Sequence, residues 1–146
     1  MPGDSAAIDD AMVARLTGDP QLQALIPAGP FFDVAGKGYT GFTLLSVHEN
    51  VSIGQFGGQA FERTVYQAKA VDLNTSSTNA RQAAARIHAL LEWEDGPPPL
   101  TIAGFDLLAL RRVERVRYTE PDAANPDARW QNQGGLYEVI TAPVAP

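Results

Sequence analysis

The stretch FERTVYQAKAVDLNTSSTNARQAAARIHALL, residues 61–91, decides the fold class because its hydrophobic period changes part-way along. Apolar and polar residues alternate over most of Phe61–Leu73, which predicts a β-strand with one face on a core. Beyond a polar segment, apolar residues recur every three or four positions, which predicts an amphipathic helix through about Glu92. The segment Asn74–Asn79 offers several possible helix caps, among them Asn79, which has Gln82 three residues later as in a capping box.

Upstream of this stretch the sequence predicts two helices, a loop and a strand. Apolar spacing predicts a helix over about Ala6–Thr17. Asp19, followed by Pro, has the pattern of a helix cap before a short helix at Gln21–Ile26. Three glycines in Phe31–Phe42 predict a loop, and the apolar, β-branched segment Thr43–Val51 predicts a strand.

Downstream, the sequence predicts three further strands. Leu100–Ala103 is a short one, and Phe105–Thr119 is a long one whose apolar parity changes, which predicts a bulge near Arg111-Arg112. Arg129–Thr141 is the last, and Gly134-Gly135 is expected to interrupt it.

Together these elements predict an α+β fold: an antiparallel sheet of about four to five strands with a long helix packed on one face. One or two short helices precede the sheet. We expect a single domain over residues 1–146, with short flexible ends at 1–5 and 142–146.

The composition narrows the function classes. The chain has 146 residues, of which 17 are acidic and 11 basic, so its formal net charge is −6. Because non-specific DNA affinity comes from Lys and Arg that displace counterions from phosphate, this balance argues against a duplex-binding protein. The sequence contains no Cys, which excludes disulfides and thiolate metal sites. No apolar run approaches the length of a membrane span, and we expect no membrane partner.

No motif predicts catalysis. Gly36-Lys37-Gly38 lacks both the Gly five positions earlier and the following Ser or Thr that a phosphate-binding loop needs. His48 and His88 are too far apart in sequence for a short metal-ligand motif. We therefore expect no enzyme activity, no cofactor and no metal site.

The strongest local charge signal lies in one predicted strand, which contains Arg111, Arg112, Arg115 and Arg117. These residues are typical of an exposed sheet edge protected by charge, or of cross-strand pairs with acidic residues. A sharper interpretation is an ionic contact with a neighbouring subunit or partner. Strict alternation would divide the arginines between two faces, which weighs against nucleic-acid contact.

Two Gly-rich loops supply the remaining candidate residues for ring or partner contacts. Lys37 and Tyr39 lie in the first loop, and Gln55 and Phe56 lie in the second, within Ser52–Ala60. Phe56 is a large apolar side chain among small and polar ones. It either folds back on the core or anchors a partner.

The order of elements and four short stretches resemble one known family. The stretches are GDPQLQALI, ARQAAARIHALL, VERVRYTEPD and WQNQGGLYEV, which begin at Gly18, Ala80, Val113 and Trp130. Over about Ile8–Thr141 the chain resembles the tail terminator proteins of long-tailed bacteriophages, also called tail completion or tail-to-head joining proteins.

The resemblance implies a structural virion protein of the tail or neck, assembled in the host cytoplasm. Such a subunit forms a ring with copies of itself, typically a hexamer, on the head-proximal end of the tail tube. The implied partners are the tail tube protein and the head–tail connector or stopper protein. The ring ends tube polymerisation, and DNA passes through its lumen without specific binding, which suits an acidic protomer. The family has no catalytic site.

Other classes stay open at this point. Another neck ring component, a stopper or adaptor, shares the need to form rings. A ligand-binding or enzymatic α+β domain would need a site assembled from residues distant in sequence. A tail tube protein would polymerise by itself.

Overall fold

The computed structural model describes residues 5–54 and 60–144, which form three helices and one sheet. The elements are α1 (Ser5–Thr17), α2 (Pro20–Leu25), β1 (Ala28–Phe32), β2 (Gly41–Gly54), β3 (Ala60–Asn74), α3 (Thr78–Leu90), β4 (Phe105–Pro121) and β5 (Arg129–Pro143). No helix in these two ranges has the length and apolar character needed to cross a membrane.

The five strands of the described ranges form one mixed sheet, in the order β1-β2-β3-β5-β4. β1 runs parallel to β2, whereas the other neighbouring strands are antiparallel. The α+β class is therefore confirmed, and the expectation of a purely antiparallel sheet is wrong.

β1 begins before, and continues into, the segment Phe31–Phe42 that the sequence predicts as a loop. Ala28 pairs with Phe42, and Phe32 pairs with Leu45. All five residues of β1 are half-buried, so no alternation marks this strand in the sequence. The loop prediction is wrong for its first residues because the strand is short and its partner lies further along the chain.

Helix α3 has 13 residues, the same length as α1, so the expectation of a long helix is wrong. The chain leaves the helix at Leu91, whose side chain is buried in the core. Two residues later the Trp93 amide donates a hydrogen bond of 3.0 Å to the Leu110 carbonyl of β4. This bond directs the chain toward the sheet edge, and the helix stops before Glu92.

One of the two predicted helix caps is confirmed. The Asp19 carboxylate accepts a 2.8 Å hydrogen bond from the Leu22 amide at the start of α2. The Asn79–Gln82 capping box is wrong, because α3 begins one residue before Asn79. The Asn79 side-chain amide instead donates to the Leu25 carbonyl at 3.0 Å and so ties α3 to α2.

Two predictions for the last third of the chain are also wrong. Leu100–Ala103 is not a strand; only a single bridge between Ile102 and Phe105 forms there. β5 is not interrupted at Gly134-Gly135, since both glycines keep their partners on β3 and β4. Their lack of a side chain lets the neighbouring strands approach closely.

The core lies between the helices and one face of the sheet. The helices contribute large apolar side chains, and the sheet contributes two tyrosines and small residues that make room for the helices. These residues include Ile8, Met12, Leu16, Leu22, Ile87, Leu91, Tyr66, Ala68, Ala70, Tyr137 and Val139.

Candidate functional site

β4 is an edge strand whose outer side is covered only near its beginning. There the Leu110 carbonyl accepts a 3.0 Å hydrogen bond from the Trp93 amide. Over Arg111–Pro121 the described residues place no strand on this side. The arginine-rich part of β4 therefore lies on an exposed sheet edge, as the sequence predicts.

A β-bulge at Val113 sets the direction of the side chains that follow it. Arg112 pairs with Tyr137 on β5, and Glu114 pairs with Leu136, so Val113 is an extra residue on β4. Its side chain is exposed. The predicted bulge is confirmed, one residue beyond Arg112.

The bulge brings three of the four arginines to one face of the sheet. Arg112, Arg115 and Arg117 pair with odd-numbered residues of β5 and face α3, whereas Arg111 pairs with Glu138 and faces the other side. Strict alternation would group Arg111 with Arg115 and Arg117. That division is wrong because the extra residue shifts the alternation by one position.

Helix α3 forms the opposite wall of a groove beside these arginines. It contributes Arg81, Ala84, Ala85 and His88, which lie on one stripe because a helix brings residues three and four positions apart together. The two alanines leave an open cavity of about 360 Å³ between helix and strand. We call it the basic groove; its basic side chains are Arg81, His88, Arg112, Arg115 and Arg117.

The positive charge of the basic groove is largely unpaired. Among the described residues, no Asp or Glu belongs to its lining. Within residues 5–54 and 60–144, Arg81, Arg115 and Arg117 take part in no ion pair. His88 is the exception, since its Nε2 lies 3.2 Å from a carboxylate oxygen of Glu92. A chain with a net charge of −6 thus carries a local concentration of cations.

Tyr137 is buried beneath the basic groove and contacts both of its walls. Its hydroxyl lies 3.3 Å from Nδ1 of His88. Burial raises the pKa of Tyr137 to about 12, and the neighbouring charge and hydrogen bond of Arg112 act against this rise. The hydroxyl is therefore neutral near pH 7 and does not compensate the arginines.

On the other face of the sheet, Glu138 binds two arginines from the strands on either side. Arg63 of β3 and Arg111 of β4 both donate to its carboxylate, and the Arg111 distance is 2.9 Å. Burial acts to raise the pKa of Glu138, but the two hydrogen bonds outweigh it and lower this pKa. Arg111 is therefore a structural cross-strand partner, unlike the other three arginines of β4.

Lys37 and Tyr39, the two loop candidates that the structure describes, do not join the basic groove. Lys37 is exposed in the loop after β1, at the opposite edge of the sheet from β4. Tyr39 is 46% exposed, and its ring packs on Phe31 with centroids 5.0 Å apart. Gln55 and Phe56 lie outside the described residues.

Arg81 and His88 are functional candidates that the sequence interpretation missed. The sequence pattern singles out neither residue as a partner contact, and it brings in His88 only as a potential metal ligand. Their seven-residue separation, with alanines between them, places both on one helix stripe. That stripe becomes informative only when β4 is known to lie beside it.

The basic groove holds no obvious metal-ligand set. In the part of the chain that the structure describes, no three His, Asp or Glu side chains come together in a way that would hold a metal ion. The chemistry available in the groove is the binding of anions by arginine side chains.

Comparisons with known proteins give information on the fold. No protein-family model matches the chain, and no curated protein matches it. The fold itself has a solved counterpart. A chain in the structure "Virion of native gene transfer agent (GTA) particle" matches with a TM-score of 0.64, over 97% of this chain and 99% of that chain. The two sequences are 17% identical, so the likeness shows a shared fold.

Proposed function

We propose that this chain is a structural virion protein that forms a ring at the head-proximal end of a phage tail tube. The ring ends tube polymerisation and offers a docking surface to the head connector. The observation that carries the proposal is the fold shared with a gene transfer agent virion chain over nearly the whole of both chains. The resemblance of the element order to tail terminator proteins supports the finer assignment.

The two edges of the sheet differ in chemistry, which supports two different contacts. β1 covers β2 only as far as Leu45, and the described residues leave Ser46–Gly54 without a strand on that side. This edge carries the exposed side chains of Val47 and Val51. We assign it to the neighbouring subunit of the ring, because a closed ring repeats one modest interface. The arginine-rich edge of β4 is then assigned to a different protein.

The proposed mechanism is steric and requires no chemical step. A ring seated on the last layer of the tube removes the surface that the next tube subunit would use. The net charge of −6 on each protomer suits a ring through which DNA passes without being held, because phosphate is repelled by acidic surfaces.

Electron microscopy of tail tubes tests this function. The tube protein of the same particle is polymerised with and without the purified chain, and tube lengths are measured. We expect shorter tubes with a ring at one end when the chain is present from the start. When it is added after polymerisation, we expect rings at one end and unchanged lengths. Uncapped tubes of unchanged length in both experiments contradict termination.

A stopper or adaptor of the neck is the second candidate, because the shared fold supports a virion component without fixing its position. The two functions differ in the protein that is bound. Co-sedimentation with purified tail tubes and, separately, with purified connector distinguishes them. Binding to the connector alone favours the stopper or adaptor.

A further inference from the structure

The basic groove lies directly beside the open edge of β4. Arg112, Arg115 and Arg117 project from this strand into the groove, while its outer backbone groups over Arg111–Pro121 have no strand partner among the described residues. An edge of this kind binds another extended segment through main-chain hydrogen bonds. Two binding elements, a backbone ladder and a row of cations, therefore lie side by side.

The cations determine the chemistry of the segment. Arginine guanidinium groups bind carboxylates through paired, charge-assisted hydrogen bonds. Arg81, Arg115 and Arg117 have no carboxylate partner within the described ranges, and no acidic residue lines the groove. An acidic segment would supply what these side chains lack.

The geometry of a strand determines how the acids are spaced. Successive side chains of a strand point to opposite faces, so every second residue of a segment added to β4 faces α3. Those residues would face the groove between Arg81 and the arginines of β4. The residues between them would lie on the other face, beside Glu114 and Tyr118, which are exposed there.

We propose that an extended segment of a partner protein, with Asp or Glu at every second position, adds to the outer edge of β4. Its alternate carboxylates enter the basic groove and bind Arg81, Arg112, Arg115 and Arg117. This inference deepens the proposed function by naming the chemistry of one docking partner. It rests on that function only for the identity of the protein that carries the segment.

The same features disfavour a nucleic acid in this place. A phosphate backbone has no amide groups to continue a β-ladder, so it would use the arginines and leave the strand edge unpaired. The net charge of −6 also repels a long polyphosphate more strongly than a short acidic peptide. An acidic protein segment uses both elements of the site.

Fluorescence anisotropy with two labelled octapeptides tests the proposal. One peptide alternates Glu and Thr, and the other has the same composition with four Glu followed by four Thr. In low-salt buffer we expect the alternating peptide to bind about fivefold or more tightly than the block peptide, because four adjacent Glu residues in a strand place only two carboxylates on the groove face. Equal affinity for the two peptides would overturn strand addition, and absence of binding would overturn the site.

Matched variants show whether the groove is responsible. Replacing Arg115 and Arg117 together by Gln is expected to weaken binding of the alternating peptide about tenfold or more. Arg111→Gln removes a charge from the same strand but from the opposite face, and it should change the affinity less than twofold. Thermal unfolding of each variant confirms that it is folded. If Arg111→Gln weakens binding as much as the double variant, the groove assignment is overturned.

A labelled single-stranded oligonucleotide is the third probe. Tighter binding of this probe than of the alternating peptide, with the same dependence on Arg115 and Arg117, would overturn the proposal in favour of a nucleic-acid site. The peptide assays use the isolated chain and need no tail tube. Their failure therefore leaves the tube-capping experiment valid, and failure of tube capping leaves the groove proposal standing.

Discussion

Arg111 donates a hydrogen bond of 2.9 Å from its Nε to the carboxylate of Glu138, on the face of the sheet that is turned away from α3. The Glu138 side chain is only 6% exposed, whereas that of Arg111 is 66% exposed. Arg63 donates to the same carboxylate from the opposite side. One nearly buried acid thus connects the three strands β3, β5 and β4.

Replacing Glu138 by Gln should lower the free energy of unfolding by about 1–3 kcal/mol, because it removes a charged acceptor from two arginines. Urea unfolding followed by circular dichroism at about pH 7 measures the change. Glu114→Gln is the matched control. Glu114 is exposed on the same face of the sheet as Glu138 and makes no ion pair within the described ranges. Equal effects of the two substitutions would contradict the role assigned to Glu138.

The contribution of Glu138 should depend on pH with a defined sign. Burial acts to raise its pKa, but the hydrogen bonds from Arg63 and Arg111 outweigh burial, so the folded-state pKa lies below the ordinary 4.5. A carboxyl whose pKa falls on folding stabilises the protein above its unfolded pKa, and this stabilisation is lost as the pH drops through the folded pKa. The stability difference between wild type and Glu138→Gln should therefore be constant above pH 4.5 and shrink as the pH falls below that value. Urea titrations across this range provide the measurement, and a difference that persists unchanged in acid would refute it.

Asp19 should show two separable contributions. Its carboxylate caps α2 through the Leu22 amide, and it also pairs with Arg86 of α3, whose Nε lies 2.8 Å away. The hydrogen bond from Arg86 holds the pKa of Asp19 below its ordinary value against the effect of burial. Asp19→Asn keeps a capping oxygen and loses the charge, whereas Asp19→Ala loses both. We expect the Ala variant to be the less stable of the two by about 1 kcal/mol, measured by thermal unfolding. Equal stability would mean that the cap contributes nothing.

Gly134 should tolerate no side chain. A Cβ at this position would lie 2.1 Å from the Ala68 carbonyl oxygen and 2.5 Å from the Lys69 Cα, both backbone atoms that cannot move independently. Gly134→Ala should destabilise the protein by about 1–3 kcal/mol or more through overpacking. Gly54→Ala is the control, because a Cβ there meets no atom within 4 Å. The two variants are compared by their urea midpoints, and a Gly134→Ala midpoint equal to that of the control would show that β5 can move away from β3.

Local signals in the sequence predict much of this fold. The cap at Asp19, the strands predicted at Thr43–Val51 and Phe61–Leu73 and the bulge next to Arg112 each depend on residues that are close together in the chain. β1 was not predicted, because its five residues have no alternation and their pairing with β2 forms across a loop. The end of α3 was placed too late for a related reason, since the hydrogen bond from Trp93 to Leu110 joins distant segments.

The candidate site was only half predicted. The arginines of β4 are visible as a cluster in the sequence. Arg81 and His88, in contrast, belong to helix α3, which a loop separates from β4 in the chain. Only the packing of α3 on β3 and β5 brings the helix stripe beside the edge strand. A sequence pattern gives the period of each element, and the position of one element relative to another follows from the assembled core.

The bulge at Val113 has a consequence for how this protein tolerates changes in length. Because Val113 opposes no residue of β5, its removal would leave the partners of Arg112 and Glu114 on β5 as they are. The directions of Arg115 and Arg117 would also be preserved. Deletion of this one residue would therefore keep the arrangement of charge, whereas deletion of a residue within β5 would exchange the two faces for the residues beyond it.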